Sequence, residues 1–399
     1  MSKENSQKIT AKIDAVSQEL KELALSLHSH PELSFHEFFA CDSLTKILEK
    51  YGYQVQKGSA GLETAFIGEK RGREGGPTVA ILAEYDALPM GHACGHNLIA
   101  TMSMGAAIGI GEVLENLCGR VLVIGTPAEE GGGGKVIMCD RGVFQNVDFA
   151  MMIHPAKRNM VQRGGLAVKQ VKIEYFGKSA HGTRPEEGIN ALSAVIQTFN
   201  LMDAQRALLP LKSSVNGYII EGGTASNVIP EYASCEFCIR GDKVKDLLVV
   251  EKALNRAIET VNTLFGTTAK TQESLMYTER YSNRMMDEIF KGHLEELGET
   301  VEYPAPTMKY GSSDIGNVSL EVPTIQPYLK IGDADTHTHG FLEAAKSPHG
   351  LNQAIKGAKA LALTACDILE SPGLQQEIKE EFKRTVPSYT REELGYHLD

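Results

Sequence analysis

The sequence has no cysteine pattern typical of disulfide-bonded proteins. Its seven cysteines are scattered, at positions 41, 94, 118, 139, 235, 238 and 366. A disulfide framework in a small secreted protein usually has an even number of cysteines at recognisable spacings. Because free thiols are typical of reducing compartments, we expect a cytoplasmic protein.

Long apolar runs are also missing. No apolar segment reaches the roughly 18 residues that suggest a membrane-spanning helix. The first residues, MSKENSQKITAKIDAV, are charged where a signal peptide would need an apolar core. We therefore expect neither membrane association nor secretion.

The sequence has no excess of basic residues. Acidic residues outnumber basic ones by 51 to 40, which gives a formal net charge of -11. Because binding to nucleic acid depends on cationic contacts to phosphate, this balance argues against a nucleic-acid partner. The composition is otherwise that of a globular protein, with 42% hydrophobic and 23% charged residues. A chain of 399 residues exceeds what one hydrophobic core usually spans, so we expect two domains.

Residues 78–100, TVAILAEYDALPMGHACGHNLIA, carry the densest group of chemically active side chains. An apolar run typical of a buried strand is followed by a polar loop and then by small residues that begin a helix. Four side chains of the loop can bind a metal ion, namely Asp86, His92, Cys94 and His96. Ligand sites of open α/β sheets lie at the carboxyl ends of strands. The stretch therefore predicts a ligand site at the edge of such a sheet.

Two further apolar runs end in side chains of the same kind. Residues 120–125 have the pattern of a strand, and a proline separates them from Glu129 and Glu130. Adjacent side chains on a strand point to opposite faces, so the backbone must leave the strand for both carboxylates to act together. One can then bind a metal ion while the other serves as a general base. Residues 148–154 end in His154, and this third repetition favours metal coordination over a structural role.

The glycine run before Lys135 resembles a phosphate-binding loop only superficially. A Walker loop requires glycine where this chain has Glu129 and serine or threonine where it has Val136. We therefore interpret the four glycines as a flexible turn.

The sequence pattern changes at the start of residues 166–280. This segment contains alternating strands and two helices, which is typical of an α+β domain with one solvent-facing sheet surface. We interpret it as an inserted domain, which leaves residues 1–165 and 281–399 as two parts of a catalytic domain. The second part carries His337 in a threonine- and glycine-rich loop. The sequence thus predicts an α/β protein with an open sheet flanked by helices.

Seven motifs, in order along the chain, resemble the aminoacylase and carboxypeptidase-type metallopeptidases, family M-twenty. They are AEYDALPMGHACGHNLIA, GTPAEEGGGGK, MIHP, SAHGTRPEEGINAL, GGTASNVIP, GSSDIGNVS and HTHGFLEAA. The chain is most similar to the amidohydrolase branch, which includes p-aminobenzoyl-glutamate hydrolase and β-alanyl-lysine dipeptidase. The resemblance covers nearly the whole chain. It implies a mixed sheet that carries a di-metal site, an inserted lid or dimerisation domain, and a homodimer.

The resemblance also implies two divalent metal ions, zinc or manganese, and a role for individual residues. The metal ligands would be Cys94, His96, Glu130, His154 and His337. Glu129 would be the general base and acid, and Asp86 would orient a ligand. His181 of the inserted domain would polarise the substrate carbonyl, acting across a dimer interface. Asn227 and Arg240 would contact the substrate, with Arg240 as a clamp for a carboxylate.

Three positions depart from the patterns of related branches. Glu84 stands where other branches carry a metal-binding histidine, so Cys94 is expected to serve as the ligand instead. Asn97 stands where aspartate is usual in the indole-acetyl branch, and Gly340 also differs there. These two differences bear on substrate identity more than on the chemistry.

We expect a metal-dependent hydrolase that cleaves the amide bond of an N-acyl amino acid or small dipeptide, with p-aminobenzoyl-glutamate-type hydrolysis as the alternative. Two other classes remain open. A cysteine hydrolase would use Cys94 as nucleophile with His92 or His96 and would survive chelation. It leaves four residues without a role, namely Glu129, Glu130, His154 and His337. A non-catalytic small-molecule binding protein on the same fold would be expected to lack the base or several ligands, and all are present.

Overall fold

A computed structural model describes residues 2–397, which divide into two compact units. The first unit comprises the chain up to Gly164 together with Arg280–Ser388. The second comprises Gly165–Glu279 and the short segment Tyr389–Tyr396. The second unit is therefore mainly an insertion within the first.

Helices account for much of the chain in both units. They are α1 (Lys3–Ala15), α2 (Ser17–Ser29), α3 (Phe38–Lys50), α4 (His96–Gly111), α5 (Gly134–Asp140), α6 (Ala191–Gln205), α7 (Val244–Phe265), α8 (Arg284–Glu296), α9 (Ile315–Glu321), α10 (His339–Ala344), α11 (Pro348–Glu370) and α12 (Pro372–Thr385). Within residues 2–397, none of them combines the length and apolar character needed to cross a membrane.

The strands belong to separate sheets in the two units. They are β1 (Gln54–Lys57), β2 (Phe66–Arg71), β3 (Arg73–Ala83), β4 (Cys118–Gly125), β5 (Phe149–Met151), β6 (His154–Ala156), β7 (Ala167–Phe176), β8 (Ala180–His181), β9 (Ser214–Glu221), β10 (Val228–Ile229), β11 (Tyr232–Gly241), β12 (Thr268–Glu273), β13 (Thr324–Ile325) and β14 (Tyr328–Lys330).

A six-stranded mixed sheet forms the centre of the first unit, with the order β1-β2-β4-β3-β5-β13. The strands β4, β3, β5 and β13 are parallel, whereas β1 and β2 are antiparallel to their neighbours. Residues 79–83 of β3 are fully buried, as expected for an apolar run in a parallel sheet covered on both faces. The predicted α/β class with an open mixed sheet is confirmed.

Two largely buried helices of this unit, α4 and α11, approach each other closely. A methyl group added to Gly105 of α4 would lie 2.8 Å from the Cβ atom of Ala358 on α11. Because interiors are packed at the density of organic crystals, such a contact leaves no space for a larger side chain. This packing fixes α4, whose first residue is the predicted ligand His96.

The second unit contains an antiparallel four-stranded sheet with the order β12-β7-β11-β9. Side chains of β7 alternate between buried and more exposed positions, so one face of the sheet is covered. Helix α7 buries residues at helical spacing, including Leu247, Val250, Leu254 and Ile258. The inserted α+β domain is therefore present.

Residues 148–154 differ from the single strand that the sequence suggests. They form β5, which joins the large sheet, and then the start of β6, which pairs with β14 in a separate parallel pair. The backbone N–H of His154 donates a hydrogen bond to the Pro327 carbonyl oxygen over 2.9 Å. His154 thus begins a strand instead of ending one, because β14 offers it a second pairing partner.

Asp287 is a fully buried carboxyl group in α8 and should make the free energy of unfolding depend on pH. Burial raises its pKa to about 7, although Oδ2 accepts hydrogen bonds from Ser282 Oγ and the Gln162 N–H. The folded state therefore holds this proton more tightly than the unfolded state. The resulting stabilisation is complete below pH ~4 and is lost as the pH rises towards 7.

Replacing Asp287 with asparagine should remove this pH dependence while keeping the shape of the side chain. We expect metal-free parent protein to lose up to about 4 kcal/mol relative to Asp287→Asn between pH 4 and pH 7. Urea unfolding of both proteins at several pH values measures the difference. Parallel stability curves would contradict the raised pKa.

Candidate metal centre

The carboxyl ends of three parallel strands meet at one edge of the large sheet and deliver the predicted site residues. Strand β3 ends at Ala83 and is followed by Glu84 and Asp86, and β4 is followed by Glu129 and Glu130. His154 comes shortly after β5. This arrangement follows from topology, because parallel neighbours end at the same sheet edge.

The five side chains predicted as ligands converge there together with Glu129, in three overlapping groups. The groups are Cys94, His96 and His154; Cys94, Glu130 and His337; and His96, Glu129 and Glu130. Within each group the potential ligand atoms lie within 4.8 Å of one another. Sequence separations of up to 243 residues, from Cys94 to His337, are closed by the fold. The donor set therefore exists as a cluster, while the role of each residue in it stays a prediction.

The distances inside the cluster suit donors arranged around cations better than donors bonded to each other. Nε2 of His96 lies 3.8 Å from Oε1 of Glu130, and Nε2 of His337 lies 3.7 Å from the same oxygen. Sγ of Cys94 lies 3.6 Å from Nε2 of His154. The two oxygen–nitrogen separations exceed the normal range for hydrogen bonds.

Two of these atoms are buried without a hydrogen-bond partner. They are Nε2 of His96 and Oε1 of Glu130. Because a buried polar group without a partner is costly, their placement is explained if they bind something else. Thiolate, imidazole and carboxylate donors together fit a divalent transition metal such as zinc.

Histidine tautomers in the cluster are set by hydrogen bonds to the opposite ring nitrogen. Nδ1 of His96 donates to Oδ1 of Asp86 over 3.0 Å, and Nδ1 of His154 donates to the Pro155 carbonyl oxygen over 2.7 Å. Each ring therefore turns Nε2 towards the cluster. Burial also lowers the pKa of His154 to about 4, which keeps the imidazole neutral.

Asp86 connects His96 to the turn that carries the glutamates. Its Oδ2 accepts the backbone N–H of Glu130 over 2.9 Å and the hydroxyl of Ser34 over 3.2 Å. Burial alone would raise the pKa of Asp86, but the hydrogen bond and charge of His96 outweigh it and lower the pKa. Asp86 thus stays ionised and fixes both a ring and a backbone segment.

The turn itself depends on Glu37, a residue that no sequence pattern marks as part of the site. Oε1 of Glu37 accepts the backbone N–H of Ala128 over 2.9 Å, and Oε2 accepts the hydroxyl of Thr64 over 2.7 Å. Ala128 has a φ angle of 59°, a left-handed conformation that costs energy for any residue with a side chain. This kink takes the chain out of β4, as required for Glu129 and Glu130 to face one site.

Glu129 lies inside the cluster and is 9% exposed, with Oε2 3.9 Å from Nε2 of His96. Burial, reinforced by the charges of Glu84 and Asp314, raises its pKa well above the ordinary value for glutamate. A carboxyl group held this way releases a proton less readily than one in water, so Glu129 is suited to carrying a proton.

Two histidines of the neighbouring motifs lie outside the three groups. The ring of His92 is 6.1 Å from that of His28, and burial lowers the pKa of His92 to about 3. His339 is the first residue of α10.

His337, in contrast, has a φ angle of 65°, and its backbone N–H donates to the Ala93 carbonyl oxygen over 2.9 Å. With this left-handed backbone, the ring of His337 lies near Glu130. The spacing of residues in the sequence could not show that His337 has this conformation.

A thiol nucleophile at Cys94 is poorly supported by its surroundings. The side chain is 8% exposed, and burial raises the pKa of its thiol well above the ordinary value. Reactive cysteines are usually partly exposed and have a lowered pKa. Without a metal ion, Cys94 would therefore remain an unreactive thiol.

The remaining predicted residues belong to the second unit. His181 pairs with Val228 between β8 and β10, and the adjacent Gly182 N–H donates to the Asn227 carbonyl oxygen over 2.7 Å. His181 and Asn227 are therefore neighbours, and both are exposed. Arg240 lies on β11, opposite Val168 of β7. Their contact with a substrate stays a prediction.

The Asp86 contacts predict that this carboxylate controls metal binding. Replacing Asp86 with asparagine should lower the affinity for a divalent metal by about 10- to 100-fold, because His96 loses the charge that orients its ring and supports its basicity. Calorimetric titration with Zn²⁺ measures the change.

A second, partly buried aspartate–histidine pair provides the control. Oδ2 of Asp367 lies 2.6 Å from Nε2 of His293, and neither residue is in the cluster. Asp367→Asn should leave the affinity unchanged. Equal losses in both variants would show that the effect is a general one on folding.

Comparison with known proteins extends these observations beyond geometry. Residues 167–263 match the family described as peptidase dimerisation domain. The Xaa-Arg dipeptidase of Mus musculus is 36% identical over 394 residues, covering 93% of this chain and 90% of the relative. A p-aminobenzoyl-glutamate hydrolase chain of Escherichia coli is 26% identical over 454 residues, covering 94% of each chain.

A solved structure agrees with the fold. The dinuclear metal binding peptidase of the M20 family from Bacillus subtilis superposes with a TM-score of 0.68 at 23% identity, covering 90% of this chain and 99% of that chain. The resemblance stated from the motifs is therefore confirmed. The chain belongs to the M20 metallopeptidase family and is a metal-dependent hydrolase of the amidohydrolase and dipeptidase type.

Proposed function

We propose that this enzyme hydrolyses the amide bond of a small dipeptide, with a basic residue on the amine side of the bond as the preferred substrate. The observation that carries the proposal is the cluster of Cys94, His96, Glu130, His154 and His337 with Glu129 beside it. The substrate class is supported by the name of the mouse relative, Xaa-Arg dipeptidase, which matches over 90% of its length.

Two divalent ions, zinc or manganese, would be held by the five clustered ligands. When bound, they supply positive charge that acidifies a water molecule and polarises the substrate carbonyl. Cys94 favours zinc, since thiolate is a soft ligand, whereas Glu130 suits either metal.

Glu129 would move the proton in the reaction. As the water attacks the carbonyl carbon, Glu129 takes its proton, and it then passes that proton to the leaving amine. The burial of Glu129 supports this role, because a proton held in a water-poor site is not lost to solvent between the two steps.

Residues of the second unit would bind and polarise the substrate. An exposed His181 can donate a hydrogen bond to the carbonyl oxygen as negative charge develops there. Asn227, adjacent to His181, would bind the peptide backbone of the substrate, and Arg240 would pair with its free carboxylate.

A homodimer in the cytoplasm completes the proposal. The edge strand β9 exposes Tyr218, Ile219 and Ile220 at 59%, 45% and 44%. An apolar edge strand invites pairing with another chain, which agrees with the match to a dimerisation domain. All seven cysteines are free, which supports a reducing compartment.

One observation favours a second candidate, hydrolysis of an acyl-glutamate. A cavity of about 300 Å³ lies against Tyr328, whose ring is 5.5 Å from that of His154. Its lining includes four cationic residues and no acidic ones, namely Lys157, Arg158, Arg163 and Lys309. Such a cavity would accept a substrate carboxylate, in agreement with the name of the Escherichia coli relative.

Glu129→Gln tests the proton-transfer role. Glutamine keeps the shape but cannot accept a proton, so we expect kcat to fall by about 100- to 10,000-fold with the metal content unchanged. Glu130→Gln is the matched variant one residue along, and it should lose bound metal as well as activity. Retained turnover in Glu129→Gln, measured alongside metal content, would exclude Glu129 as the base.

Substrate specificity separates the two candidates. A site that pairs with a guanidinium group leaves a carboxylate unpaired and repelled, so we expect kcat/KM for Ala-Arg and β-Ala-Lys to exceed that for Ala-Glu by about 100-fold or more. Kinetics with these dipeptides and with p-aminobenzoyl-glutamate provide the comparison. A preference for the glutamate substrates would reverse the assignment.

A further inference from the structure

A buried lysine lies between two carboxylates next to the candidate metal centre. Nζ of Lys135 is 2.6 Å from Oε1 of Glu84 and donates to Oδ1 of Asp314 over 2.7 Å. The backbone N–H of Lys135 also donates to Oδ2 of Asp314 over 3.0 Å. All three residues are 0% exposed, so the single ammonium group, and not water, offsets the charge of the two carboxylates.

Glu84 connects this triad to the metal ligands. Its Oε1 is held by Lys135, while its Oε2 lies 3.6 Å from Nε2 of His96. The other nitrogen of that ring is occupied by Asp86, so Nε2 is the atom that faces the cluster. Oε2 of Glu84 therefore lies on the metal side of His96, as do Oε2 of Glu129 at 3.9 Å and Oε1 of Glu130 at 3.8 Å.

The lysine also fixes the chain close to the glutamate turn. Lys135 is the second residue of α5, five positions after Glu130, and its side chain and backbone both contact Asp314 just before α9. A methyl group on the preceding Gly134 would lie 1.9 Å from the Pro127 carbonyl oxygen. The backbone at Gly134, next to Lys135, is thus packed closely against the segment that precedes the glutamates.

We propose that Lys135 is a positioning residue of the metal centre, which orients Glu84 so that one of its oxygens serves as a further donor beside His96. The inference rests on the proposed function, since it requires the clustered residues to bind metal. With Oε1 engaged by Lys135, Glu84 can offer only Oε2. Asp314 accepts from the same ammonium group and holds it in place.

The role predicts specific effects on metal binding. In the full-length protein, Lys135→Met and Glu84→Gln should each weaken Co²⁺ binding by about 10- to 100-fold, as expected for residues that orient or support metal ligands. Each should also shift the visible absorption bands of the bound Co²⁺. The double variant should bind no more than about threefold more weakly than Lys135→Met, because both substitutions remove the same contact.

A second buried lysine offers a matched control. Lys169 is 8% exposed and pairs with Glu251 over 2.7 Å and with Glu273, all within the second unit. Lys169→Met removes a lysine between two glutamates but touches no predicted metal ligand. It should lower the unfolding temperature and leave the Co²⁺ affinity and spectrum unchanged.

Competition with a chromophoric chelator measures the affinity, and visible absorption gives the spectrum. Failure of the parent protein to bind Co²⁺ would overturn the proposed function and this inference with it. If the parent binds Co²⁺ but Lys135→Met and Glu84→Gln match it in affinity and spectrum, only the role of Lys135 is overturned. Should Lys135→Met fail to fold, Glu84→Gln decides alone, because it preserves the shape of the side chain.

Discussion

The carboxylate of Asp86 is the contact on which the candidate centre depends most. It lies after β3 and joins three segments, the loop of Ser34, the turn at Glu130 and the ring of His96. A single ionised side chain therefore sets the orientation of one ligand and the backbone position of another. Metal coordination tolerates positional errors of only a few tenths of an ångström. Because one carboxylate contacts both segments, it fixes their relative position more closely than two separate partners would.

Much of the centre could be predicted from the sequence because its ligands follow strand patterns. The apolar runs of β3, β4 and β5 are readable as buried strands, and their polar ends indicate one sheet edge. That argument brings Glu130 and His154 near His96 without any knowledge of the fold. It could not divide residues 148–154 between two sheets, since the choice is made by β14, more than 170 residues further along.

The supporting residues could not be predicted, and the reason is physical. Glu37 acts on Ala128 across 91 positions, and Lys135 reaches Asp314 across 179. Neither residue belongs to a local pattern that marks a site. The role of a buried charged residue depends on its neighbours in space, which can be distant in the sequence. Lys135 even follows a glycine run that suggests a mobile, exposed turn. Its burial follows only from tertiary packing, which sequence periodicity does not report.

Carboxylates are crowded in the candidate centre, which would attract cations and which costs folding free energy through repulsion. Glu84, Glu129 and Glu130 all approach Nε2 of His96 within 4 Å, in a region with little water to screen them. Burial and, after it, repulsion between like charges raise the pKa of Glu129 well above the ordinary value for glutamate. Lys135 brings one positive charge, which it shares between Glu84 and Asp314. Divalent ions bound there would offset the remaining negative charge, so folding and metal binding would stabilise each other through these side chains.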